Sequence, residues 1–218
     1  MDFRHELKFQ ISAKDMTRIK YRLESLMEVD PHQGPEGYTI RSLYFDDFKA
    51  TALKETLSGV DKRRKYRIRT YDGSLDLIHL EEKSKISGMT HKESWNLSLE
   101  ECRDYMAAIP SAMIPVMQAK HMEPACIVEY DRFAFVEASG NVRITFDTDI
   151  RGSMRCEEFL EKDAAMTPIL PKGEHILEVK FDEFLPSWIL SAVDLNHLQQ
   201  QTFSKYGRVR GALEGLGL

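Results

Sequence analysis

The sequence predicts an α+β domain built on a closed antiparallel β-barrel with flanking helices. Three observations predict it. Strand-length segments alternate apolar and charged residues with a period of two, from FRHELKFQI at the start to HILEVKFD near the end. Turn-forming pairs such as Asp72-Gly73 and Ser87-Gly88 join successive segments as hairpins. Ionic residues recur at i and i+2 on four of these segments, with large apolar residues on the opposite face.

The elements follow in order. In residues 3–11, Phe3, His5, Leu7, Phe9 and Ile11 face one way, and Arg4, Glu6, Lys8 and Gln10 the other. Ser12, with Asp15 three positions on, opens a helix. Met16, Ile19, Leu23 and Leu26 carry it at helical spacing until Asp30-Pro31. The stretch PHQGPEG is a turn-rich loop, YTIRSLYFDD a strand, and a short helix runs from about Phe48 to Leu57, ending near Gly59. Residues 62–71, KRRKYRIRTY, form a strand with Lys65, Arg67 and Arg69 opposite Tyr66, Ile68 and Thr70. Asp72-Gly73 turns it into LDLIHLEEKSK, where Glu81, Lys83 and Lys85 share a face, and Ser87-Gly88 leads to MTHKESW with Lys92 inside it.

Residues 98–120 read as helix in two pieces, broken at Pro110. Pro124 opens the long strand ACIVEYDRFAFVEA, which Ser139-Gly140-Asn141 returns as VRITFDTDI. There Val142, Ile144 and Phe146 oppose Arg143, Thr145 and Asp147. After a loop with two prolines, HILEVKFD is a strand with Leu177, Val179 and Phe181 opposite Glu178, Lys180 and Asp182. The tail from Pro186 reads as short helices, QTFSKYGR among them. Repeats, low-complexity tracts and linkers are absent, so one domain is expected over residues 1–218.

Composition narrows the function classes. A net charge of −5 argues against a general nucleic-acid binder, and no aromatic interleaving points to base stacking. Cys102, Cys126 and Cys156 lack the spacing of a zinc site or a disulfide framework and read as reduced thiols. The histidines show neither HxH nor HExxH spacing. With no signal-peptide core and no membrane span, a cytoplasmic protein is expected.

The charged faces carry the functional reading. One such strand fits a solvated outer face. Four together, Arg4/Glu6/Lys8, Lys65/Arg67/Arg69, Glu81/Lys83/Lys85 and Glu178/Lys180/Asp182, weaken that alternative. A closed sheet would turn its ionic faces inward and pack its apolar faces against helices. Cations crowded there repel one another and lose water, a cost that a polyanion offsets. Arginine grips phosphate oxygens in bidentate fashion, and interspersed carboxylates point to a divalent metal between protein and phosphates.

The run RHELKF, then IRSLYFDD, KYRIRTY with LEEKSK, EYDRFAF with VRITFDTDIRG, LEVKFD and FSKY resemble, in this order, the VTC domain. That is the polyphosphate-polymerase branch of the triphosphate tunnel metalloenzymes, related to the CYTH proteins. The resemblance implies an eight-stranded tunnel binding phosphate chains and Mn²⁺ or Mg²⁺. By position it makes Lys8, Arg67, Arg69, Lys83, Lys92, Arg132 and Arg143 tunnel cations, and Glu178 the metal carboxylate. Ser204 and Lys205 become C-terminal phosphate contacts. Lys65, Lys85 and Lys180, which share these faces, are added as phosphate contacts, and Glu6 as a second metal carboxylate. Hydrolase branches usually open Glu-x-Glu-x-Lys; here Arg4 replaces the first Glu, which favours chain synthesis.

The expected activity is transfer of the γ-phosphate of ATP onto inorganic polyphosphate, with ADP released. Hydrolysis of inorganic or nucleoside triphosphate is the alternative enzyme reading, and non-catalytic sensing of polyphosphate or inositol phosphate the alternative of another class. Expected partners are thus ATP or another triphosphate and polyphosphate, and no nucleic acid; a membrane-complex partner stays open. Tyr71 and Trp95 read as packing residues, Arg41 and Tyr44 as structural, and Asp147 as a partner for a nearby Arg.

Overall fold

A strand that pairs its backbone on both sides and buries one face must alternate, and the alternating segments do become strands. The computed structural model describes residues 4–215; Phe3, assigned above to the apolar face of the first strand, lies outside them. In chain order the elements are β1 (His5–Ser12), α1 (Ala13–Glu24), β2 (Glu28–Val29), β3 (Tyr38–Asp46), α2 (Thr51–Leu57), β4 (Arg63–Tyr71), β5 (Ser74–Ile86) and β6 (Met89–Leu97). There follow α3 (Leu99–Met106), α4 (Pro115–Ala119), β7 (Glu123–Glu137), β8 (Val142–Ser153), β9 (Thr167–Pro168), β10 (Glu174–Phe181), α5 (Ser187–Val193) and α6 (Lys205–Leu213).

The chain packs as two compact units, each drawn from three separated segments. The first takes the residues up to Tyr38, Tyr130–Ile150 and Leu170–Phe203. Its strands run in the order β1-β10-β8-β7, antiparallel, with Lys8 opposite Glu178 and Lys180 opposite Arg143. Phe9, Ile11, Ile144, Phe146, Leu177 and Val179 bury one face against Ile19 and Leu23 of α1 and Ile189 and Val193 of α5. Ser12 caps α1 by accepting from the Asp15 N–H at 3.1 Å. The helix ends at Glu24, short of the Asp30-Pro31 stop that periodicity predicts. Leu26 is exposed, and Glu28 and Val29 pair with Val136 and Phe135 of β7. Backbone pairing overrides helical spacing there.

Gly37 has φ +93°, and a Cβ on it would sit 2.2 Å from the carbonyl oxygen of Arg132. Only glycine lets the loop before β3 pass so close to that residue.

The second unit takes Thr39–Glu129, Arg151–Ile169 and the residues from Ser204 on. Its strands follow β3-β4-β5-β6, with β7 beside β3 and β9 beside β8. Both residues of the turns Asp72-Gly73 and Ser87-Gly88 have positive φ, the two-residue hairpin geometry whose twist matches the strands. Leu43, Phe45, Tyr66, Ile68, Ile78 and Leu80 pack on Cys102 and Tyr105 of α3 and Met117 of α4. A capping box of Ser98 and Glu101 starts α3. Asp46 and Asp47 accept from the first N–H groups of α2, so that helix begins at Thr51 and leaves Phe48 exposed. Helix α6 starts at Lys205 with Ser204 as its cap; the residues before it, expected to be helical, are not.

The sheet is antiparallel in every described pairing, as the hairpin signals require. Among the described residues its pairings form an open path ending on β1 and on β6, so the closed ring expected from the sequence is not completed by backbone hydrogen bonds. No helix among them is long and apolar enough to cross a membrane.

Candidate phosphate and metal site

Strand parity puts the charges of β1, β8 and β10 on the face away from the first unit's core. A solvated face would leave them exposed, yet Glu178 is 3% and Asp147 0% exposed, and Arg132 of β7 is 7%. They survive burial through pairing. Arg132 grips Asp147 through Nε (2.6 Å) and Nη2 (2.7 Å) and reaches Glu178 Oε2 at 3.4 Å. Lys8 Nζ lies 3.1 Å from Glu6 Oε1 and 3.2 Å from Glu178 Oε1, and donates to the carbonyl oxygen of Phe203. Lys180 Nζ meets Glu178 Oε2 at 3.1 Å. Glu178 therefore anchors three cations.

Burial alone would lower the pKa of Lys8, but Glu178 and Glu6 more than offset this and raise it. Arg132 is likewise raised against burial, chiefly by Asp147. Lys180 is lowered, since burial outweighs its pairing.

The second unit is arranged differently. Register places Lys65 opposite Lys83, and Lys83 opposite Lys92, a row of three ammonium groups across β4, β5 and β6. Like charges directly opposite are destabilising in a sheet. Beside the row, Arg67 and Arg69 of β4 converge on Glu81 of β5, which is fully buried. Arg67 contacts Glu81 Oε2 through Nε and Nη2, both at 2.7 Å, and donates through Nη1 to the Tyr44 hydroxyl at 2.8 Å. Lys92 reaches Glu81 Oε1 at 3.1 Å. Lys65 Nζ donates to Ser204 Oγ at 3.0 Å.

Burial raises the Glu81 pKa, but Arg67, Arg69 and Lys92 more than offset this and hold it well below the usual carboxylate range. A depressed folded pKa stabilises the fold at pH values above the unfolded value of about 4.3, and the benefit fades as pH falls through and below it. Wild type is therefore expected to melt above Glu81→Gln at pH 6, with a gap that narrows below pH ~4. Thermal melts across that range check it; a gap independent of pH would show that the Glu81 charge contributes nothing.

The sequence-derived residues thus sort between the units. Lys8, Glu6, Arg132, Glu178 and Lys180 come together in the first. Lys65, Arg67, Arg69, Lys83 and Lys92 share a face of the second, and Lys85 lies on it further along, opposite Arg63 and Thr90. Ser204 joins this group through Lys65 and also caps α6, and Lys205 is buried in the first turn of that helix. Arg143, opposite Lys180 in register, turns to other partners: it pairs with buried Asp30 and donates to the Tyr38 hydroxyl. Arg41 is structural, tied to Glu129 and to the carbonyl oxygens of Phe159 and Glu161. It lines a separate cavity of about 460 Å³ with Glu129, Phe159 and Lys162.

The sequence places Glu81 on a charged face, Asp30 at a helix stop and Tyr44 among structural residues, and names none of them as a site residue. Glu81 was visible by parity. Asp30 lies in a loop, where no periodicity marks which way a side chain points.

Among the described residues, no group of three or more His, Cys, Asp or Glu side chains is placed to hold a metal ion. Glu6 and Glu178, both on the Lys8 ammonium, are nonetheless hard oxygen donors that suit Mg²⁺ or Mn²⁺, with other ligands taken from phosphate or water.

A family model described as the VTC domain matches residues 3–213. No curated protein matches the chain. A solved structure of a Pyrococcus horikoshii protein is similar over 97% of this chain and 99% of its own, at 13% identity and a TM-score of 0.52. A putative adenylate cyclase from Vibrio parahaemolyticus is similar over 95% and 98%, at 12% identity and a TM-score of 0.58. Another from Bacillus halodurans covers 92% and 95%, at 15% identity and a TM-score of 0.52. Likeness at these identities is likeness of fold.

Proposed function

Since this chain belongs to the VTC domain family, we propose that it is a metal-dependent phosphotransferase that extends inorganic polyphosphate with the γ-phosphate of ATP. The single observation that carries the reading is the like-charged row Lys65, Lys83 and Lys92 beside Arg67 and Arg69, around the buried carboxylate of Glu81. A sheet face so biased towards positive charge is stabilised further by a polyanion bound on it.

In the reaction, the bond between the γ-phosphorus and the bridging oxygen of ATP breaks, and one forms to the terminal oxygen of the growing chain. ADP leaves. The chain end is its own nucleophile, so no protein nucleophile is required. In the second unit Lys65, Arg67, Arg69, Lys83, Lys92, Ser204 and Lys205 bind and orient phosphate oxygens; in the first, Lys8, Arg132, Arg143 and Lys180 are phosphate contacts in their own right. Glu6 and Glu178 would hold a divalent cation, which when bound supplies charge neutralisation between phosphate oxygens. Arg4 pairs with Asp182 where hydrolase branches carry a carboxylate, which supports synthesis over hydrolysis.

ADP release from ATP, sensitive to a chelator and without matching orthophosphate, is the expected result. Stoichiometric orthophosphate would make the protein a triphosphatase. Tight ATP binding without turnover would make it a sensor.

Arg67→Ala is expected to weaken inorganic triphosphate binding by about 1.5–3 kcal/mol, the range for hydrogen bonds to charged groups. Stability should fall as well, because buried Glu81 loses its bidentate partner. Titration calorimetry on the folded variant checks this; unchanged affinity would leave Arg67 a purely structural cation.

A further inference from the structure

Glu81 touches Arg67, Arg69 and Lys92, and it lies buried on the sheet face that they share. Its two oxygens divide the work: Oε2 takes Arg67 at 2.7 Å and Arg69 at 3.6 Å, and Oε1 takes Lys92 at 3.1 Å. The three cations come from β4 and β6, on either side of the strand that carries Glu81. The side chain is wholly excluded from solvent, so water does not screen the carboxylate.

We infer that Glu81 is an internal counter-anion: it holds the cation cluster together without substrate and competes with the substrate's phosphates for the same three charges. The inference rests on the reading of this face as a phosphate site. A phosphate approaching Arg67 and Lys92 meets their attraction and, buried beside them on the same face, the repulsion of a negative charge. The site is thereby tuned to release as well as to bind, which a chain-extending reaction needs at every cycle. Glu81 acts through the cations and is a positioning residue, not one that touches the reacting atoms.

The opposing effects separate in one experiment. Glu81→Gln keeps the shape of the side chain and removes its charge, leaving the cations to repel one another in the free protein. Metal-free titration calorimetry with inorganic triphosphate should show roughly tenfold or tighter binding than wild type. The free variant should melt lower than wild type, and its rise in Tm on adding triphosphate should be larger. A residue that only braced the fold would lower Tm and leave affinity unchanged or weaker. Equal or weaker affinity in a folded Glu81→Gln, with wild type binding normally, overturns the inference and leaves the phosphate site standing. Wild type that fails to bind triphosphate overturns both. Should the single variant not fold, Glu81→Gln with Lys92→Met removes one charge of each sign. Affinity at or above wild type supports the competition; affinity more than tenfold weaker, or failure of both variants to fold, makes Glu81 structural.

Discussion

Glu178→Gln is expected to lose turnover by roughly 10²-fold or more, the scale for losing one preorganised electrostatic contact to a transition state. Nucleotide affinity should change by much less. Gln matches Glu in size and can still accept a hydrogen bond from Lys8, but it lacks the charge that holds a divalent cation. In the free protein Glu178 also balances Lys8, Lys180 and Arg132. Removing that charge raises the positive charge around the site, so binding of a non-hydrolysable ATP analogue should be retained or tighter. Melting temperature is the control, because buried Arg132 and half-buried Lys8 and Lys180 lose a partner. Product formation with Mn²⁺ or Mg²⁺, beside calorimetry with the analogue, checks the split. A Gln variant with full turnover would remove Glu178 from the mechanism.

Asp147→Ala should produce the largest loss of stability. The carboxylate is fully buried and holds Arg132 through two short charge-assisted bonds. Its loss leaves a buried guanidinium with Glu178, at 3.4 Å, as a carboxylate contact. Breaking a buried pair from one side costs about 3–5 kcal/mol. For a chain of this size that is a fall in Tm of roughly 6–20 °C. Replacing both partners with apolar residues of similar volume should recover much of it. A Tm unchanged in the single variant would mean that Arg132 finds another partner at no cost.

Strand parity was the legible part of this fold. The alternation in KYRIRTY and LEEKSK placed Arg67, Arg69, Glu81 and Lys83 on one face, and the structure keeps them there. Ser12 announced the start of α1 through its cap. The end of α1 was not legible, because the pairing of Glu28 and Val29 depends on β7, distant in sequence. The same holds for the site. Which residues carry charge inward follows from period two, but the partner each one chooses does not. Arg143 finds Asp30 across a loop, and Arg67 finds the Tyr44 hydroxyl, by contacts that no spacing rule encodes. Closure of the sheet also depends on its last pairing, which strand patterns leave undetermined.

The most direct test follows the transferred phosphate itself. Purified protein is incubated with ATP labelled at the γ-phosphate and Mn²⁺, and the products are separated by charge and length. Label is expected in polyphosphate chains that lengthen with time, with unlabelled ADP in equal amount, and neither product once the metal is chelated. Label recovered only as orthophosphate, or bound ATP that never turns over, would contradict the proposed synthesis.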